Sequence, residues 1–410
     1  SEKLSKEILP RKPHMFLLYT LKNTIFELKY VFGDKMKSSD ITYVFGTGRL
    51  DKLENNNFTG EFFYGYKYFS SKNLNIQIIE LNESNKKNKF SSKILFFFDR
   101  VLNKISKLPF YMNEIITFEN IKKLSKSKNI VFTNDRIGIS LLPVVIFLKL
   151  FYKINCVVIV MGMLNNSGDN GFVKFARNLI LKLFVKLNDK FIFLGIGEFE
   201  KAKENFKQKN KFVFFPFCVD SSFWKSKDKY NSSKRKKILF IGNDGNREFS
   251  KAIQIAEIMK DKEFLFVSSN EEINSVEIEN VEVISGNWNK SLLTDAEIRD
   301  IYEQSKITIL PLKNTLQPSG QSVTLQSMSC GVPVIITNTI GFWDSDKFKD
   351  NYHLIKLEDN ELNNWVSKIN EIFKNEELLN EISENGVELI NKNYDINKFN
   401  EYIEKTMIID

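Results

Sequence analysis

Two turns in this 410-residue chain gather residue types that bind anions. Asn243-Asp244-Gly245-Asn246-Arg247 follows the apolar run Lys237–Gly242, and Pro318-Ser319-Gly320 precedes a helical run from Gln321 to Cys330. A helix that opens at Ser-Gly presents unpaired backbone N–H groups and the positive end of its dipole, which suits a phosphate. Gly320 removes the side chain that would block a close approach, while Ser319, Gln321 and Ser322 add donors. Gln326, six residues after Gly320, lies further along the same helix, within reach of a ribose. The bland reading of a Ser-Gly turn is ordinary capping. Asp135 follows the strand-like run Asn129–Thr133, at the sheet edge where open α/β folds bind ligands. It is a candidate acceptor contact or general base, and equally a candidate N-cap for the run that begins at Ile137.

Composition narrows the chemistry. Only two histidines occur, His14 and His353, which argues against zinc catalysis and a Ser-His-Asp site. Cys156, Cys218 and Cys330 are far apart, without metal-ligand spacing, and fit a reduced, cytosolic setting. Asp344-Ser345-Asp346 reads as a turn rather than a metal site. Neither metal nor cofactor is expected.

The elements that must position these turns alternate strand and helix, which implies an α/β fold with parallel sheets. At 410 residues, two domains are expected. The first domain's strands are read at Met15–Thr20, Ile41–Phe45, Leu74–Leu81, Asn129–Thr133, Asn155–Met161 and Asp189–Leu194, with a helix over Glu61–Ser71. The charged, apolar-poor run Lys225–Lys237 reads as the linker. Beyond it come strands at Lys237–Gly242, Phe264–Ser268, Val281–Ile284, Ile307–Leu312 and Val334–Thr337, then a helical C-terminus. The expected division is 1–228 and 229–395, with 396–410 returning to the first domain.

The run Ser327-Met328-Ser329-Cys330-Gly331-Val332-Pro333-Val334-Ile335 and the segment Pro216-Phe217-Cys218-Val219-Asp220 to Trp224 carry a resemblance. They are similar to the donor-binding and hinge segments of retaining glycosyltransferases of the family 4 type (glycosyltransferase group 1). That resemblance implies a GT-B fold, two Rossmann-like domains facing a cleft, with a C-terminal helix crossing back to the first. It implies a nucleotide-sugar donor, a UDP-sugar in the first instance, with no metal. Gly242, Asn243, Ser319, Gly320, Gln321 and Ser322 would hold the donor. Arg247, with Lys251 as second choice, would pair with its diphosphate, and Trp288 would meet its base. The chain departs from the family's pattern at three places. Gln326 stands where a ribose-binding Glu is usual, and an amide cannot clamp a diol as a carboxylate does. The partner Glu has no clean equivalent, Pro318 standing at its spacing and Gln317 one residue off. Met161 and Gly162, on the acceptor side, occupy the place of a His near the transferred sugar.

Charge is uneven. Residues 1–230 hold 39 Lys and Arg against 21 Asp and Glu, whereas residues 231–410 hold 20 against 30. A first half at net +18 implies an anionic partner or a merely solvated basic surface. Phe-rich basic runs at 92–124 and 171–190 read as amphipathic helices lying on lipid, or as helices covering the sheet. No stacking platform or recognition helix for nucleic acid is seen. The expected activity is sugar transfer to a lipid such as diacylglycerol or a polyprenyl-linked sugar, peripheral on the inner face of the cell membrane. The alternatives are a cytosolic enzyme of surface-polysaccharide assembly acting on a soluble or carrier-linked glycan, and a non-catalytic sugar-nucleotide-binding protein. No secretory signal is seen, and the longest apolar run, Ile137–Leu148, is broken by Pro143 and too short for a bilayer.

Overall fold

A computed structural model describes residues 39–54, 58–81, 90–165, 171–285 and 293–408. The expected strand at Met15–Thr20 lies outside them. The first sheet is formed by β1 (Ser39–Phe45), β2 (Ile76–Glu80), β3 (Ser127–Phe132), β4 (Asn155–Val160), β5 (Lys190–Phe193) and β6 (Phe212–Phe214). The second is formed by β7 (Lys237–Ile241), β8 (Phe264–Val267), β9 (Val281–Ile284), β10 (Ser305–Leu310), β11 (Val334–Thr337) and β12 (Ile355–Leu357). The strand orders are β2-β1-β3-β4-β5-β6 and β12-β11-β10-β7-β8-β9, parallel throughout. Central strands β4 and β10 are buried along their whole length, as parallel strands covered by helices on both faces must be.

Each order reverses once. In the first sheet the chain leaves β1 for β2 on one side and returns to β3 on the other; in the second it does the same around β7 and β10. At such reversals neighbouring connections diverge, which opens a crevice at the carboxyl ends of the strands. The two crevices face each other. This is the two-domain α/β architecture that the sequence implies.

Two local expectations differ. The run Glu61–Ser71 is not one helix but a 3-10 turn, Glu61–Phe63, and a short helix, Tyr66–Ser70. Tyr64 between them takes a left-handed backbone conformation (φ 47°), which breaks helical hydrogen bonding. β12, only three residues long, carries too little pattern to be read from the sequence.

The C-terminal helix Ile396–Glu404 packs on the first domain. Tyr68 Oη donates to Glu404 Oε2 at 2.7 Å, Lys72 pairs with the same carboxylate at 2.6 Å, and Tyr402 stacks on Phe215 with ring centroids 4.1 Å apart. The residues after it close the amino edge of the first sheet. Asn129 Nδ2 donates to Ile408 O at 2.8 Å, and Asn129 Oδ1 accepts from Ile408 N at 2.8 Å and Asn155 Nδ2 at 2.9 Å. Asn129 is fully buried, so removing its amide strands several polar groups away from water. Asn129→Ala is expected to destabilise the protein by about 2 kcal/mol or more, the scale of unpaired buried polar groups, measured as a lowered urea midpoint.

Candidate active site

The turn after β7 and the loop after β10 are joined by backbone hydrogen bonds. Glu248 N donates to Pro311 O at 2.9 Å and Lys313 N to Asn246 O at 2.9 Å. Asn246 Nδ2 also donates to Ser319 Oγ at 2.8 Å. This lacing presses Arg247 inward until its side chain is 2% exposed. Among the described residues, its guanidinium has one carboxylate near it, Asp244 Oδ2 at 3.3 Å from Nη2, and its Nε–H and Nη1–H have no hydrogen-bond partner. It lies flat against Gly242 and Gly320, where a Cβ would collide with it or crowd it. Both glycines have positive φ (146° and 79°), which side chains disfavour.

Gly320 is also the N-cap of the helix Gln321–Ser329, and no side chain caps that helix. Uncapped first-turn N–H groups therefore sit beside a buried cation, two of whose donors are unpaired among the described residues. Together they make a candidate anion site, with charge and donors converging from two segments. Gly242, Asn243, Arg247, Ser322 and Gln326 line a cavity of about 420 Å³, and Ser319, Gly320 and Gln321 line an adjoining hollow of about 170 Å³ that shares Arg247 and Ser322.

The first domain supplies the opposite wall, with Gly46 and Arg49 after β1 and Thr133 and Asn134 after β3. The cavity thus occupies the two facing crevices. Its cations are Arg49, Lys52 and Arg247, against the carboxylates of Asp244 and Asp295. Burial, then the nearby Arg49 charge, pushes Lys52 down to about 7, with Asp295 opposing. A bound anion would favour its charged form.

Several ties cross the cleft. Gln321 Nε2 donates to Leu194 O at 2.6 Å. Thr59 N and Oγ1 both donate to Asp295 Oδ2, at 2.7 and 2.9 Å. Gln317 packs against Gly162. Gln321 is therefore an interdomain tie as well as a cavity neighbour, which its sequence context did not indicate.

Asp135 lies apart from the cavity lining. It is buried, and its Oδ1 accepts from Met161 N at 2.8 Å. The helix cap is Asn134, whose side chain accepts from Arg136 N and Ile137 N. Beside Asp135, Glu198 accepts from Gly162 N at 2.9 Å and Leu164 N at 2.7 Å. These two carboxylates hold the backbone of the loop after β4, and Arg177 holds it from the other side by donating to Asn165 O at 2.6 Å. Arg177, read from the sequence as part of a basic surface, is buried. Lys251 lies on the helix Phe249–Ile258, away from both linings. Trp288 lies outside the described residues.

Sequence reasoning passed over Arg49, Lys52, Glu61, Asp295 and Tyr302. Arg49 ends Gly46-Thr47-Gly48-Arg49, a glycine-bearing run after a strand that reads from the sequence as a plain close turn; the other four sit in no such turn. Asp295 follows Thr294 in a capping box with Glu297, a pattern that marks a helix start and nothing more.

Residues 222–389 match the family model described as "Glycosyl transferases group 1". No curated protein matches the sequence. Among solved structures, the chain is similar to HepE from Anabaena in complex with UDP and glucose, at 10% identity and TM-score 0.63, covering 90% of this chain and 99% of that one. It is similar to sucrose-phosphate synthase from Thermosynechococcus elongatus at 10% identity and TM-score 0.62 (89% and 98% covered). It is similar to a glycosyltransferase from Rickettsia africae at 12% identity and TM-score 0.57 (90% and 98% covered). The fold is GT-B, and its second half carries a group 1 glycosyltransferase domain.

Burial, with the neighbouring Asp135 charge adding, raises Glu198 from an ordinary 4.5 to about 8. The folded state therefore holds a proton that the unfolded chain has released. The associated stability is fully present below about pH 4.5 and is lost as pH rises through about 8. Thermal melts are expected to show a midpoint that falls between pH 6 and pH 9, with a shallower fall in Glu198→Gln.

Proposed function

We propose that this protein is a retaining glycosyltransferase that moves a sugar from a UDP-sugar to a lipid acceptor at an anionic membrane surface. The observation that carries the reading is the buried, half-unpaired Arg247 against the uncapped helix start at Gly320, at the point where both sheets reverse. When the bond between sugar and diphosphate breaks, negative charge grows on the leaving phosphate. Arg247 and the N–H groups of the first helical turn are preorganised for that charge, in the cavity between the domains. With Asp135 committed to Met161 N, the acceptor's proton passes to the leaving phosphate rather than to Asp135. Gln326, with Tyr302 Oη 3.4 Å from its Oε1, faces the ribose.

The lipid acceptor is supported by a surface remote from the cavity. The helices Phe90–Ser106 and Gly171–Leu187 pack together. They expose Ile94, Phe97, Phe98 and Val101 on the first, and Phe172, Phe175, Leu179 and Leu183 on the second. These fall at helical spacing, so each set shares one face. Phe97, Phe172 and Phe175 are each more than 60% exposed, an apolar patch that water disfavours. Lys93, Arg100, Lys104, Lys174, Lys182 and Lys186 are exposed on the same helices. Apolar rings among cations suit the boundary of an anionic bilayer. No helix of the described residues is long and apolar enough to cross a membrane, so this contact would be peripheral.

Release of UDP from a panel of UDP-sugars, with and without liposomes carrying diacylglycerol and an anionic lipid, tests the activity. The expected result is lipid-dependent release from one donor. Arg247→Ala is expected to lower it by about 10²–10³-fold, the scale of a lost transition-state donor, with the thermal midpoint retained. Lipid-independent release on a soluble glycan would favour polysaccharide assembly, and donor binding without release a non-catalytic protein. In flotation assays, Phe97→Ser with Phe175→Ser is expected to weaken binding to anionic liposomes by at least about tenfold, given ~1.5–3 kcal/mol per buried ring. Raised salt should weaken the wild type as well.

A further inference from the structure

The family's ribose-binding carboxylate is absent from the helix Gln321–Ser329, yet a carboxylate reaches the same corner from the other domain. Glu61 sits in the 3-10 turn Glu61–Phe63, between cavity-lining Phe58 and Phe62. It is 3% exposed. Its Oε1 accepts from Gln326 Nε2 at 3.1 Å and from Trp224 Nε1 at 2.7 Å. Its Oε2 is buried and has no hydrogen-bond partner among the described residues. On its far side Gln326 meets Tyr302 Oη, 3.4 Å from Oε1, and Gln326 itself lines the cavity.

We propose that Glu61 is a positioning residue that fixes the Gln326 amide for recognition of the ligand's ribose hydroxyls. An amide offers nearly the same shape in two orientations that differ by exchange of a donor and an acceptor. Burial raises Glu61 to about 7, yet charged or neutral its Oε1 meets the Trp224 Nε1–H as an acceptor. The orientation with Nε2 towards Glu61 is therefore the stable one, and the other sets a carbonyl oxygen against an acceptor oxygen. Glu61 therefore holds Gln326 Oε1 towards Tyr302 and the cavity, where its remaining lone pair accepts from a ribose O–H. The contact joins the first domain to the second. The ribose corner is complete only when the turn bearing Glu61 is seated against the helix bearing Gln326, so hydroxyl recognition reports domain closure. This inference rests on the nucleotide reading of the cavity given above.

An exchange of the two side chains tests it. Affinities of wild type, Glu61→Gln, Gln326→Glu and the double variant are measured by calorimetry for UDP, GDP and ADP and for their 2′,3′-dideoxy forms, with thermal melts to establish folding. Wild type is expected to favour one ribonucleotide over its dideoxy form. In Glu61→Gln that nucleotide binds about tenfold more weakly, the scale of one lost charge-assisted hydrogen bond, while the dideoxy form is unaffected. Gln326→Glu places two carboxylates together and loses more. The double variant, which keeps one carboxylate and one amide with the domains exchanged, recovers the ribose preference, and it also decides the case in which a single variant fails to fold. An unchanged ribose-to-dideoxy ratio in Glu61→Gln overturns the inference. Equal losses for both nucleotide forms, or a double variant no better than the singles, overturn it too. Absence of binding to any of the six by folded wild type overturns the nucleotide reading itself, and this inference with it.

Discussion

The active cleft depends on one buried positive charge that the protein does not neutralise completely. Arg247 is 2% exposed and, among the described residues, has a single carboxylate at 3.3 Å and two N–H groups without partners. Burying such a group costs free energy, so the surrounding structure must hold it in place. The hydrogen bonds from Glu248 to Pro311 and from Lys313 to Asn246 do so. Gly242 and Gly320 leave the space it occupies. A phosphate would relieve the unpaired donors at once. The cost of burying Arg247 and the suitability of this corner for an anion therefore have the same origin.

A second constraint is that the site has two halves on separate sheets. Facing crevices supply a cavity only while the domains stay in register, and the contacts across it serve that end. Gln321 to Leu194, Thr59 to Asp295 and Glu61 to Gln326 all start or finish within a few residues of the cavity lining. The C-terminal helix adds a tie away from the cleft, through Tyr68, Lys72 and Phe215. Cavity-lining residues and their immediate neighbours are thus also the residues that tie the two domains together.

The excess positive charge of the first half divides into two populations. Arg177 is buried and serves the loop after β4, while Lys211 donates to three carbonyls at the end of the helix Gly171–Leu187. Others stand on the outer helices among exposed phenylalanines. Counting charges along the chain cannot separate these groups, because a single helical turn carries Lys174 outward and Arg177 inward.

The sequence alone determined the parallel α/β fold, the strands near the cleft and the glycine-bearing turns that meet there. Each of these rests on short-range physics: β-branched runs bounded by turns, glycines where the backbone must turn tightly, and a helix start with unpaired N–H groups. β11 is read at its observed bounds, and Arg247 and Gly320 are placed in the cavity from local pattern. Only the tertiary structure decided which charged residues face the cavity and which hold the scaffold. Asp135 occupies a sheet edge suited to catalysis, but the loop after β4 folds over it and takes its carboxylate for Met161 N. Glu61 looks like an unremarkable residue before two phenylalanines, yet it reaches a glutamine 265 positions away. Burial and long-range pairing depend on how the two domains close, and no window of neighbouring residues encodes that geometry.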